Sequence, residues 1–234
     1  MNRKSTFLIV TALVAGVAAT AQAQICAGTA PFSAGSIRVG AGAEFPDGAK
    51  SYGGELAWGH QSGAYLAGSV SRLTIDNTDL NAMRFGASAG YEMSTEAMPK
   101  LRFCPVASLG YSNGPDIAPA DVSMIDYAVG GAVGSLLSLS DNVSLVPSAM
   151  ISWTGARAKA EANGTSSTAS DSWMQARLAA GFVINNQITV APVVTIPMSH
   201  DGDETRFGFA ASYNFGRSSG VMQQGHARKK GSKR

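Results

Sequence analysis

From residue 36 to 215 the chain is composed of short stretches in which apolar residues alternate with polar or very small ones. In Ile37-Arg38-Val39-Gly40-Ala41-Gly42-Ala43-Glu44-Phe45, the apolar residues and Ala fall on odd positions, and Arg38, Gly40, Gly42 and Glu44 on even ones. Successive side chains of a strand point to opposite faces, so a period of two is a strand signature. The pattern returns at Met83, Phe85, Ala87, Ala89 and Tyr91, and at Phe207, Phe209, Ala211, Tyr213 and Phe215. Ten strands are predicted, at 36–45, 51–60, 64–74, 80–92, 100–112, 125–137, 142–153, 172–184, 187–197 and 205–215. The third is the least regular, because Arg72 shares a face with Leu66 and Val70. Each is close to the ~9–11 residues that cross a bilayer at a tilt. The expected fold is all-β: a membrane-spanning, antiparallel, up-and-down barrel of ten strands, or of eight if the third and a neighbour fail.

Alternation does not say which face is outside. A soluble secreted ligand-binding barrel would turn the apolar face inward. Here the polar face is mostly Gly, Ala and Ser, where a water-exposed surface would carry Lys and Glu. Aromatic residues gather at strand ends (Phe45, Tyr91, Tyr111, Tyr127, Trp153, Tyr213, Phe215), as in the girdles that mark two membrane interfaces. Both favour an apolar exterior in lipid. Connections 113–124, 154–171 and 198–204 are long, whereas 60–63, 138–141 and 185–186 are short. That asymmetry places the short turns and the N-terminus in the periplasm. The stretch 154–171, rich in Ala, Ser, Thr and Gly, reads as a flexible loop. Pro105, Pro147 and Pro192 each fall about five residues into a strand, suggesting a shared bulge or irregularity near the periplasmic rim.

What precedes residue 36 fixes the compartment. Arg3 and Lys4 lead an apolar run from Phe7 to Ala19, and Ala21-Gln22-Ala23 is a small-x-small cleavage site. Residues 1–23 are therefore expected to be a secretory signal peptide. No Leu-small-small triplet precedes Cys26, so ordinary cleavage is preferred to lipid attachment. Residues 24–35 form an N-terminal periplasmic segment, 36–216 the barrel and 217–234 a basic disordered periplasmic tail. Two basic residues leave with the signal peptide and six lie in the tail, so ten face all 16 acids of the body. The net charge of +2 thus divides into a body near −6 and a tail near +6.

The signal peptide, the Gly-rich hairpins such as MRFGASAGYEM and the closing FGFAASYNFG resemble the small bacterial outer-membrane β-barrel domain proteins over roughly residues 36–216. The resemblance implies an outer-membrane location, contact with its lipid, and an assembly machinery that reads the terminal aromatics Tyr213 and Phe215. It leaves the role open among pores, adhesins, structural barrels and a few enzymes.

Candidate chemistry is sparse. Cys26 and Cys104 are the only cysteines, and an exported chain allows them one disulfide. Cys104 shares the inward face with Arg102, so the bond would pin residues 24–34 in or beneath the periplasmic mouth. Inward-facing Arg38, Arg84, Arg102, Arg177 and Arg206 stand against Glu44, Glu55 and Glu92. They form either a selectivity ring in a narrow pore or ion pairs bracing a filled barrel. His200, with Asp201, Asp203 and Glu204, is the one cluster of His and acids, offering a rim hydrolase or a hard-cation loop as alternatives. No catalytic, metal or cofactor-binding residue is assigned, and no nucleic-acid partner is expected. The expected role is a non-enzymatic envelope protein: a narrow passive pore for small solutes, or a structural barrel with surface ligands.

Overall fold

The computed structural model describes residues 25–32, 35–60, 62–95, 98–114, 120–199 and 204–216. The strands are β1 (Ile37–Phe45), β2 (Ala49–Gly59), β3 (Ala64–Ile75), β4 (Asn81–Tyr91), β5 (Met93–Thr95), β6 (Met98–Asn113), β7 (Ala120–Ser135), β8 (Leu137–Ser138), β9 (Val143–Ala162), β10 (Thr165–Ile184), β11 (Ile188–Pro197) and β12 (Arg206–Phe215). Ten of them close an antiparallel ring, β1-β2-β3-β4-β6-β7-β9-β10-β11-β12 and back to β1. β5 and β8 lie outside it, pairing only with β6 and β9. All ten predicted strands are present.

Paired residues trace the wall's slant. Starting at Ile184, the row runs through Ile188, Tyr213, Val39, Leu56, Gly68, Ala87, Leu109, Tyr127 and Gly155. It re-enters β10 at Ser172, twelve residues from its start. With ordinary strand rise and spacing, that shear gives a tilt of about 40° and a wall radius of about 10 Å. A ten-residue strand then rises about 25 Å, the height of an outer-membrane apolar band.

Burial settles which face is outside. Leu109 and Phe209 are 57% and 60% exposed, whereas Arg38 on the opposite face is 1% exposed. The apolar face is the exterior. Its aromatics form two belts. Trp58, Tyr91, Phe182, Tyr213 and Phe215 ring the end where β1 begins, the terminal end. Phe45, Tyr52, Phe85, Tyr111, Tyr127, Trp153 and Phe207 ring the other, with Tyr127 and Trp153 in edge contact at 5.5 Å.

One expectation needs correction. Residues 154–171 are not a loop. β9 and β10 run on through them, paired residue for residue to a tight turn at Asn163 (φ 52°) and Gly164 (φ 77°). Asn-Gly with both residues left-handed is the preferred two-residue hairpin turn, because it matches the strands' twist. With β7 beginning at Ala120, the wall projects past the belt of Tyr127 and Trp153 as a three-stranded blade, so that end is called the hairpin end. The prolines do share an irregularity, a one-sided lapse of the ladder and not a bulge. Each keeps an intact ladder on one side: Pro105 with Gly131, Pro147 with Ala180, Pro192 with Phe209. On the other side pairing stops or lapses, ending at Val106 for β4–β6 and at Ser148 for β7–β9, and breaking between Val193 and Val190 for β10–β11. A proline has no N–H to give, so one flank of the ladder is lost.

Candidate functional site: an occupied lumen

Residues 25–32 lie inside the terminal half of the barrel. Ile25–Ala27 form a single 3-10 turn, closed by the Gly28 N–H donating to the Ile25 carbonyl at 3.1 Å. Gly28 has φ +74°, so the chain reverses there at a conformation open to glycine. Cys26 is bonded to Cys104 of β6, with Cα atoms 6.1 Å apart. The Ala30 N–H donates to Thr189 Oγ1 at 3.3 Å, and Arg38 Nη1 to Thr29 Oγ1 at 2.6 Å. The Arg38 guanidinium also lies 4.9 Å from the centre of the Phe32 ring. Ile25 and Ala30 pack on Val146, Val183 and Leu136.

The wall is shaped to receive this segment. Gly134 of β7 abuts the Ile25 carbonyl, Gly181 of β10 the Gly28 carbonyl, and Gly59 of β2 the Phe32 ring. A Cβ at any of the three would occupy the segment's own space. The segment therefore touches β1, β2, β6, β7, β9, β10 and β11, most of the circumference, and acts as a plug.

The charges expected in the lumen are all placed on its inner side, and most pair. Arg38 Nη2 meets Glu55 Oε1 at 2.9 Å. Arg84 grips Asp126 through Nε at 3.2 Å and Nη2 at 2.6 Å, reaching over Gly110 of the intervening strand. Arg102 meets Glu92 at 3.3 Å near the plug. Arg206 donates to Gln175 Oε1 at 3.1 Å, and Arg177 stands 3.8 Å from Glu44, an ion pair beyond hydrogen-bond length. Glu92 lies just past β4, at the terminal rim. Burial pushes its carboxyl up, against the opposing pull of Arg102 and the Ile25 backbone.

Asp126 was missed, although the alternation Met124-Ile125-Asp126-Tyr127 points it inward with Met124. Equally unforeseen is an apolar cluster on the inner side at the hairpin end, Met124, Ala156, Ala158 and Trp173. A cavity lies on the β1–β3 and β10–β12 side, floored by Thr29 and Arg38 and lined largely by Gly, Ala and Ser. Its volume is about 70 Å³, space for a few waters and far below the ~300 Å³ of the smallest drug-sized sites.

Several expected features fall elsewhere. His200, Asp201 and Asp203 lie outside the described residues, as do the expected signal peptide, the basic stretch 217–234 and residues 115–119. Glu204 is exposed. His60 sits in the turn after β2, beside Ser62 and Trp58. Among the described residues no group of His, Cys, Asp and Glu has metal-site geometry.

No protein-family model and no curated protein matches the chain. Among solved structures, it is similar to the β domain of the Bordetella autotransporter BrkA, with 11% identity, a TM-score of 0.50 and coverage of 78% of this chain and 100% of that one. The N-terminal β-barrel domain of Pseudomonas aeruginosa OprF matches at 13% identity and a TM-score of 0.34, over 79% of this chain and 100% of that one. The attachment invasion locus protein Ail of Yersinia pestis matches at 13% identity and a TM-score of 0.34, over 78% and 100%. With its closed ring, apolar exterior and paired aromatic belts, the chain is by fold a bacterial outer-membrane β-barrel.

Proposed function

We propose that the protein is a non-enzymatic envelope barrel of the structural, surface-presenting kind, closed to solutes while its N-terminal segment is docked. The observation that carries this reading is the plug, which lies against most of the lumen wall and is bonded to it through Cys26 and Cys104. Ion pairs and the Met124–Trp173 cluster fill much of what is left. In this reading the terminal end faces the periplasm and the β9–β10 hairpin stands outside the cell. The exterior between the belts contacts outer-membrane lipid, and Tyr213 and Phe215 are the residues offered to the assembly machinery.

A narrow passive pore is the second reading, favoured by the cavity beside the plug. Single-channel recording of the refolded mature protein in a planar bilayer separates the two. The oxidised protein is expected to be silent. Steady openings without reductant overturn the closed-barrel reading. Openings only after reduction identify a pore sealed by its tether.

A further inference from the structure

The plug begins beside a carboxylate. The Ile25 N–H donates to the Glu92 side chain, which also meets Arg102 at 3.3 Å. Both sides of this contact are held in place. Ile25 is 5% exposed, packs on Val146 and Val183, and is followed directly by the disulfide at Cys26. The Glu92 N–H donates to the Gly63 carbonyl at 2.9 Å. Gly63 has φ +92°, and a Cβ there would run into the Glu92 carbonyl, so the turn after β2 clamps the backbone that carries the carboxylate. The Glu92 side chain is 17% exposed. Burial, the largest influence on its carboxyl, holds it above the ordinary value despite Arg102 and the Ile25 N–H. A carboxylate offers about four acceptor positions, so a further donor can join those two.

The expected signal-peptide cut falls between Ala23 and Gln24, one residue ahead of Ile25. Gln24 lies outside the described residues. Its α-nitrogen is nevertheless three covalent bonds from the Ile25 nitrogen, and so within about 3.7 Å of it in any conformation. The Ile25 nitrogen is itself one hydrogen bond from Glu92, which puts the Gln24 nitrogen at most about 7 Å from the carboxylate. Before cleavage that nitrogen is a neutral amide with a single N–H. After cleavage it is an α-amine, charged at neutral pH and carrying three donors. An ammonium there adds to the pull of Arg102 and reduces the rise that burial imposes on Glu92.

We propose that Glu92 is the receptor for the α-ammonium of Gln24, so that signal-peptide removal creates an ion pair that completes the anchorage of the plug. The precursor cannot make this contact, because it has no charge at that place. The proposal rests on the docked plug and on the cut after Ala23, and not on whether the barrel conducts.

The test uses the mature protein purified from outer membranes in neutral detergent. By mass spectrometry its N-terminal peptide is expected to begin at Gln24 with a free amine. A different first residue, or Gln24 cyclised with loss of ammonia, removes the ammonium from Glu92 and overturns the proposal. Acylation of that amine by an N-hydroxysuccinimide ester at neutral pH is then followed on the same peptide in the folded protein. Glu92→Gln is expected to be acylated about tenfold faster than wild type, because losing the opposing charge lowers the pKa of the ammonium by about one unit. Equal rates overturn the proposal. Arg102→Gln breaks the rim ion pair from its other side but leaves the carboxylate, and is expected to be acylated no faster than wild type. Acceleration there to match Glu92→Gln shows a loosened rim and not a lost charge, and overturns the proposal as well. Conductance plays no part in this readout, so the closed-barrel reading and this one can fail separately.

Discussion

Breaking the Cys26–Cys104 bond should cost global stability without releasing the plug. The bond joins residues 78 apart in sequence. In the chain-entropy account, closing a loop of that length destabilises the unfolded state by about 4.5 kcal/mol at 25 °C, an upper figure that native strain reduces toward ~2. The plug's other anchors do not involve sulfur: the Ala30–Thr189 and Arg38–Thr29 hydrogen bonds, and Ile25 packed against Val146 and Val183. Both cysteines are at most 2% exposed, so a reductant reaches them only through an opening. The assay is urea unfolding in lipid vesicles, read by tryptophan fluorescence, for oxidised wild type, wild type reduced in urea and refolded, and Cys26→Ala/Cys104→Ala. Reduced wild type and the double variant are expected to lose ~2–4 kcal/mol relative to the oxidised protein, with little change in slope. Equal unfolding midpoints in all three would refute the reasoning, showing that the bond does not constrain the unfolded chain.

Three further outcomes follow from particular contacts. Asp126→Ala leaves Arg84 buried without its carboxylate and is expected to cost about 3–5 kcal/mol in the same titration, with Arg84→Met/Asp126→Leu recovering most of it; a single variant as stable as wild type contradicts the pair's role. Because Glu92 has a raised carboxyl pKa when folded, its contribution to stability is fully present below the unfolded carboxyl pKa and is lost as pH rises through the folded one. Glu92→Gln should therefore gain less stability than wild type on acidification across that window, and equal pH dependences would remove Glu92 from the account. Gly164→Val puts a β-branched residue at φ 77° in the hairpin turn and is expected to fray the tip, read as faster protease nicking near residue 164 with the barrel's unfolding midpoint unchanged.

The fold was legible because a strand with lipid on one side and a packed lumen on the other must alternate. That alternation placed ten strands, and correctly set Cys104 on the inner face to meet Cys26. It failed at 154–171 for the same reason. Beyond the aromatic belt there is no apolar solvent on either side, so the blade alternates weakly and its composition resembles a loop. The remaining signal was local, Asn163-Gly164, whose left-handed preference marks a hairpin turn whatever surrounds it.

The sequence by itself determined the ten wall strands through side-chain period, the outward face through the small uncharged residues of the polar face and the aromatic strand ends, and the one possible covalent tether through cysteine number. Only the tertiary structure decided what fills the lumen and which charges meet. Arg84 reaches Asp126 over Gly110, and Arg177 approaches Glu44 from a strand three removed, because a shear of twelve brings those residues to one side of the interior. Gly134 and Gly181 are unremarkable in sequence, and matter because the closed ring places them against the carbonyls of Ile25 and Gly28. Period and composition are one-dimensional, whereas the plug's seat exists only once ten strands have closed at a particular tilt.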